Sequence, residues 1–217
     1  MTTLTEENYL KAIYHLTEKN DSVTVNELSK FLKIKMPSVN SMMKKFAEKK
    51  WVIYESYKPL IITEEGKKQA ALVVRKHRLT EMFLVKKMDF GWEEVHEIAE
   101  QIEHIKSDIF FNKIDELLDF PKTDPHGSPI PDKNGNITQL NLPKLSECKA
   151  EQKVRFSALT ESTTELLKFL NQKKLPLTTE ITILKIEPFD KSMLVKYNEQ
   201  TETFSQLVCE KLLVEKL

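Results

Sequence analysis

Residues 5–63 carry a succession of segments that few folds accommodate. Leu10, Ile13, Tyr14 and Leu16 recur at a helical period after the polar entry Thr5-Glu6-Glu7. A break at Asn20-Asp21-Ser22 and a short β-like Val23-Thr24-Val25 follow. Asn26 to Leu32 then places Leu28, Phe31 and Leu32 on one helical face, and Lys33-Ile34-Lys35-Met36 reads as a turn. Pro37 suits the first turn of the next helix, where its missing N–H costs no hydrogen bond. Val39, Met42, Met43 and Phe46 carry that helix to about Lys50. Two β-like runs, Trp51-Val52-Ile53-Tyr54 and Leu60-Ile61-Ile62-Thr63, flank a polar connection as a hairpin does. Helix, short helix, turn, helix and hairpin is the order of a winged helix-turn-helix.

Charge agrees with that order. Formal net charge is zero, yet residues 1–80 hold fifteen Lys and Arg against nine Asp and Glu, and residues 81–217 hold eighteen against twenty-four. Within 30–58 the ratio is eight to two, so a polyanion contact is expected in the N-terminal third. On the second helix of the pair, Pro37, Ser38, Asn40, Ser41, Lys44 and Lys45 lie off the apolar stripe. Short polar side chains at a helix start reach base edges and flanking lysines reach phosphates, which points to double-stranded DNA.

The rest of the chain reads as two further parts. Residues 64–120 hold three helical segments: Glu64 to about Lys87, Trp92 to about Ile105, and Ser107 to Leu118. Pro121, Pro125, Gly127, Pro129, Pro131, Gly135 and Pro143 make the next stretch a turn-rich linker. Beyond it, Val154-Arg155-Phe156, Glu180 to Ile186, Met193 to Tyr197 and Lys211 to Leu217 read as strands, and Glu165 to Asn171 as a short helix. The expected fold is mainly α with a small β part. It comprises a winged helix-turn-helix over 1–63, a helical domain over 64–142 and a small β-barrel-like domain over 143–217.

Four of the five histidines fall between 77 and 126. His77 and Glu81 are one turn apart on the long helix, and His96, Glu100, Glu103 and His104 share an arc of ~100° on the next. Val95, Ile98, Ile102 and Ile105 form a stripe on the opposite side, expected to be the packed face. Two His and two Glu beside a second His/Glu pair offer nitrogen and oxygen donors for a divalent ion. With no thiolate among them, Mn(II) or Fe(II) fits, and Zn(II) or Co(II) would also bind. Cys148 and Cys209 read as ordinary thiols.

Several classes drop out. No apolar run approaches the ~18–20 residues needed to cross a bilayer, and the first residues lack the pattern of a secretory signal. Two cysteines make neither a disulfide framework nor a four-thiolate zinc site, so a reduced, cytoplasmic protein with no membrane partner is expected. Without a Gly-rich phosphate loop, an HExxH or a nucleophile elbow, the chain is not expected to be an enzyme, nor to take a small-molecule substrate beyond a metal ion. A metal-dependent enzyme, and a DNA-binding regulator whose His/Glu cluster is structural only, are the alternatives left open.

Asn8-Tyr9-Leu10-Lys11-Ala12-Ile13-Tyr14, Met36-Pro37-Ser38-Val39, Arg75-Lys76-His77-Arg78-Leu79-Thr80-Glu81 and Val95 through His104 resemble the diphtheria toxin repressor/manganese transport regulator (DtxR/MntR) family. Asp124 to Pro131 resembles the turn closing that family's dimerisation domain, and residues 143–217 resemble its FeoA-type β-barrel. The resemblance implies a homodimeric, metal-activated repressor of metal-uptake genes acting on a palindromic operator. Phe110, Phe111, Ile114, Leu117 and Leu118, a surplus for one small core, agree with a dimer. By position it implies a primary site of Glu100, Glu103 and His104 with residue 8, and an ancillary site of His77, Glu81 and His96. Some relatives also use the turn that here holds Asp124 and His126, with an acidic residue in the barrel matched best by Glu161 and next by Glu165. The chain departs from the family pattern at Asn8, where relatives carry Met or Asp, and at Lys11, acidic in short manganese-type members. Glu100 follows the manganese type and His96 the iron type, leaving Mn(II) slightly ahead of Fe(II).

Overall fold

In the computed structural model, which describes residues 2–17, 22–138 and 140–217, helix α1 spans Leu4–Thr17, α2 Val25–Leu32 and α3 Met36–Glu48. The expected break at Asn20 and Asp21 lies outside the described residues. Thr24, expected in a β-like run, is instead the N-cap of α2. Its hydroxyl accepts from the Glu27 N–H while the Glu27 carboxylate accepts from the Thr24 N–H, a reciprocal capping box. Thr24→Ala should therefore lower stability by about 1 kcal/mol in urea unfolding. Lys33, in the left-handed region at φ 55°, ends α2 and turns the chain toward α3. Pro37 sits in the first turn of α3, as its lack of an N–H favours.

The hairpin is short. Strands β1 (Val52–Ile53) and β2 (Ile61–Ile62) pair antiparallel, with Val52 opposite Ile62. Val23 adds a bridge to Leu60 through hydrogen bonds of 3.1 and 2.8 Å, so one residue of the expected β-like run does pair. Tyr9, Leu10 and Ile13 of α1, Leu28 of α2, and Val39, Met43 and Phe46 of α3 close a core with Val52, Leu60 and Ile62.

Helix α4 spans Glu64–Met88, α5 His96–Ile102 and α6 Asp108–Leu117. The α5 helix is shorter than expected at its start. The segment before it is turns, and Trp92 donates its indole N–H to Asn171 Oδ1 at 2.7 Å and packs on the C-terminal core. The stripe expected to pack does so only in part. Val95 is buried, but Ile98 and Ile102 are half-buried and Ile105 is exposed, while Ala99 and Glu103, which lie off that stripe, are buried. Ion pairs let Glu103 take a buried position.

Beyond a 3₁₀ turn at Leu145–Glu147 come β3 (Lys153–Leu159), α7 (Thr164–Gln172), β4 (Glu180–Ile186), β5 (Met193–Tyr197), β6 (Gln200–Phe204), α8 (Gln206–Cys209) and β7 (Leu212–Lys216). The five strands form one antiparallel sheet in the order β6-β5-β4-β3-β7. Among the described residues β6 and β7 do not pair with each other, and Lys144 adds a bridge to Leu213 on the outer side of β7; the sheet domain is as expected, while closure into a barrel is not shown. Strand β6 was not apparent from sequence because Thr201, Glu202 and Thr203 interrupt any apolar alternation. It forms by pairing with β5 from Met193–Phe204 to Tyr197–Gln200.

The chain divides into two compact units. One comprises 1–80, 98–120 and 130–138; the other comprises 81–97, 121–129 and 139–217. Within the described residues no helix is long and apolar enough to cross a membrane.

Candidate metal centre

In the first unit, donors from α1, α4 and the end of α5 converge. His77, Glu100 and Glu103 present ligand atoms that all lie within 4.8 Å of one another. Glu103 is fully buried, and its Oε2 accepts from His77 Nδ1 at 2.6 Å. Lys11 Nζ of α1 donates to Glu100 Oε1 at 2.5 Å and to both Glu103 oxygens at 2.7 and 2.9 Å. Burial alone would raise the Glu103 carboxyl, but the His77 hydrogen bond and the Lys11 charge together hold it below the usual carboxylate range. His104 donates from Nδ1 to Glu7 Oε2 at 2.7 Å. Its lone-pair nitrogen is then Nε2, 3.7 Å from Glu103 Oε1. A carboxylate that orients an imidazole so that the far nitrogen faces other donors is a frequent support for a metal ligand. Asn8 Oδ1 is buried and has no hydrogen-bond partner among the described residues, an acceptor with a lone pair to give.

The second unit holds another cluster. Ligand atoms of Glu81, Asp124 and His126, all buried, lie within 4.8 Å of one another. Asp124 Oδ1 accepts from the His126 and Ser128 N–H groups at 2.8 and 2.9 Å, which shapes the turn. His126 donates from Nε2 to the Trp92 carbonyl at 2.8 Å, since a carbonyl can only accept, and stacks on the Trp92 ring at 5.9 Å. Its Nδ1 is thus the lone-pair nitrogen, 3.8 Å from Glu81 Oε2. His96 Nδ1 approaches Glu81 Oε1 at 3.4 Å from an exposed position. Glu161 is not among the three residues grouped within that distance, and its Oε1 pairs with Lys211 at 2.8 Å; Glu165 is exposed in the first turn of α7. Both donor sets are nitrogen and oxygen with the carboxylate charge that a divalent ion needs, so they fit one. The thiols do not contribute: Cys148 and Cys209 are buried, and burial pushes the Cys209 thiol up to about 12.

On α3, Pro37, Ser38, Ser41, Lys44 and Lys45 are exposed. Asn40 is half-buried, and its Oδ1 accepts from the Tyr54 hydroxyl at 2.8 Å. Lys45 and Lys49 converge on Glu6 Oε1 at 3.1 and 2.5 Å. Burial would raise the Glu6 carboxyl, but Lys49, the Thr3 N–H and Lys45 outweigh it and hold it at about 2.

Residues 1–60 match the family model described as the iron dependent repressor N-terminal DNA binding domain. Residues 63–132 match the one described as the iron dependent repressor metal binding and dimerisation domain. The HTH-type transcriptional regulator MntR of Bacillus pumilus is 33% identical over 120 residues, covering 55% of this chain and 83% of that protein. The chain belongs to the iron-dependent repressor (DtxR/MntR) family. The iron-dependent repressor IdeR of Mycobacterium tuberculosis is 33% identical over 127 residues, 58% of this chain, and the match spans 55% of IdeR's length. A solved manganese-dependent transcriptional repressor in complex with manganese superimposes with a TM-score of 0.86 at 26% identity, covering 98% of this chain and 100% of that one. Members of the iron-dependent repressor family are transcriptional repressors and not enzymes, so the enzyme alternative is removed.

Set beside the family pattern, the chain has two cluster residues that spacing did not reveal. Glu7 orients His104, and Lys11 bridges Glu100 and Glu103. Their partners lie 89 to 97 positions away, so no local period carries the signal. The hint available was composition within α1. Glu7 and Lys11 are charged residues one turn apart beside Tyr9, Leu10 and Ile13, on a helix too apolar to expose them all.

Proposed function

We propose that this chain is a metal-dependent transcriptional repressor that binds a palindromic operator as a homodimer and controls metal-uptake genes. The supporting observation is that α1 touches both ends of such a device within the first unit. Glu6 of α1 holds Lys45 and Lys49 of α3, and Lys11 of α1 holds Glu100 and Glu103. A change at the α5 carboxylates therefore has a direct mechanical route to the reading helix. Asn8, His77, Glu100, Glu103 and His104 would hold a divalent ion in the first cluster. Glu81, Asp124 and His126, flanked by His96, would hold one in the second. When bound, the ion supplies a doubly positive centre that carboxylate, amide and imidazole donors share. Mn(II) is the first choice for so oxygen-rich a set, Fe(II) the second, and Zn(II) or Co(II) would substitute.

The chain's own residues do the rest. Glu7 keeps His104 turned with Nε2 inward. The Trp92 carbonyl does the same for Nδ1 of His126. Ser38 and Ser41 present hydroxyls to base edges from α3, and Tyr54 holds the Asn40 carbonyl oxygen so that the amide N–H groups face away from the wing. Lys44 meets phosphate. Ile109, Phe110 and Leu117 are exposed apolar side chains on α6, 84%, 40% and 51% exposed, and a second copy of this chain would cover them. The three-part division at 63 and 142 is part of the same reading.

The test is selection of duplexes from a random pool with Mn(II) present, followed by anisotropy titrations with Mn(II) and with EDTA. Chelation is expected to weaken binding by roughly a hundredfold, a differential affinity of the size such switches require. Equal affinity in the two conditions would end the metal-dependent reading. Lys44→Ala should weaken binding to every duplex and reduce the salt slope by about one.

A further inference from the structure

We propose that Lys11 sets how strongly the α1/α5 carboxylate cluster takes a divalent cation, because its ammonium already occupies the cation position and has to be expelled. The proposal rests on the metal-dependent reading above and adds a residue to it. Lys11 Nζ lies within 2.5 to 2.9 Å of three carboxylate oxygens from two glutamates. An ion bridging Glu100 and Glu103 must approach the same oxygens, so both cations cannot remain. Glu103 has no exposure to solvent, which means its charge must be balanced from inside the protein. Lys11 supplies that balance in the chain itself, and it ties α1 to α5 while doing so.

Two further observations agree. Asn8, one turn before Lys11 on α1, has a buried carbonyl oxygen with no partner among the described residues. It adds a donor and no charge, so the carboxylates that Lys11 and any arriving ion must share are those of Glu100 in α5 and Glu103 just beyond it. His77 donates Nδ1–H to the same Glu103 oxygen that Lys11 approaches at 2.9 Å, so both Glu103 oxygens already carry a hydrogen bond. A divalent ion gains the cluster only by outcompeting an ammonium held at very high local concentration by its own backbone. Binding is therefore weakened, and selective for ions of high charge, by a residue that is not a ligand.

The experiment is a Mn(II) titration of the full chain, with free Mn(II) read by electron paramagnetic resonance, for wild type, Lys11→Met and Lys11→Arg. Lys11→Met should tighten one class of site by about tenfold or more, since it removes the competing charge and keeps the length of the side chain. Lys11→Arg should not tighten it. Adding Glu103→Gln to Lys11→Met should abolish the gain, which places it at this cluster. The thermal midpoint of Lys11→Met without metal should fall, and Mn(II) should raise it by more than it raises that of wild type. Should Lys11→Met not fold without metal, Lys11→Gln keeps polar contact without charge and is expected to tighten the same class. Mn(II) affinity unchanged or weakened in the neutral variants, with wild type still binding, would overturn the role of Lys11 alone. No Mn(II) binding by any variant would overturn both this proposal and the metal-dependent reading.

Discussion

Glu103→Ala is expected to lose about 3–5 kcal/mol of folding stability in urea, along with Mn(II) binding at the first cluster. The carboxylate is fully buried between Lys11 and His77, which are themselves only 9% and 8% exposed. Removing it leaves an ammonium and an imidazole with Glu100 as the nearest carboxylate of the cluster. Stranding a buried cation in this way is far more damaging than never having buried the pair. Glu103→Gln should be milder, since the amide still accepts from Lys11 at one oxygen, yet it should be as deficient in Mn(II) binding as alanine. Operator binding by Glu103→Gln should be the same with Mn(II) as with EDTA. An unchanged urea midpoint for Glu103→Ala would mean that the cluster does not hold α1 to α5.

Gly127→Ala should be comparably harmful in the second unit. Gly127 has φ +87°, in the left-handed region, and an added Cβ would stand 2.3 Å from the Ser157 carbonyl oxygen and 2.6 Å from the Ala158 Cα. Those are backbone atoms of β3, and Ala158 is paired to Leu213 of β7, so at least that strand resists moving away. The turn must move instead. It carries Asp124 and His126, and the Leu159 N–H donates to the His126 carbonyl at 3.0 Å. The expected result is a loss of about 2–4 kcal/mol, a strain cost plus a broken strand contact, together with one class of Mn(II) site. The class assigned to Glu100 and Glu103 should survive. Retention of every Mn(II) site by a destabilised Gly127→Ala would show that the turn does not build the second cluster.

The sequence was most legible where the cause of structure is local. Pro37 with Val39, Met43 and Phe46 placed α3, because a 3.6-residue apolar period and a proline in the first turn act within one helix. Strands β4 and β5 matched their expected bounds because Ile181, Ile183, Met193 and Val195 alternate against one core. Legibility failed where a distant partner decides. Strand β6 exists because β5 offers it an edge, and no alternation of its own announces it. Most of the apolar stripe on α5 is left half-buried or exposed, because a charged residue just past the helix, Glu103, pairs with Lys11 and His77 and takes a buried position.

The same division runs through the candidate site. Residue type and helical spacing alone named the chemistry: imidazole and carboxylate donors on α4 and α5, a basic reading helix, no thiolate among the donors. Tertiary packing chose which donors meet. It put Lys11 on Glu100 and Glu103, Glu7 behind His104, Asn40 against Tyr54, and Glu161 on Lys211. The physical reason is range. Backbone propensity and apolar periodicity act over a few residues, whereas a buried charge must be neutralised by whatever opposite charge the closed fold brings within about 3 Å.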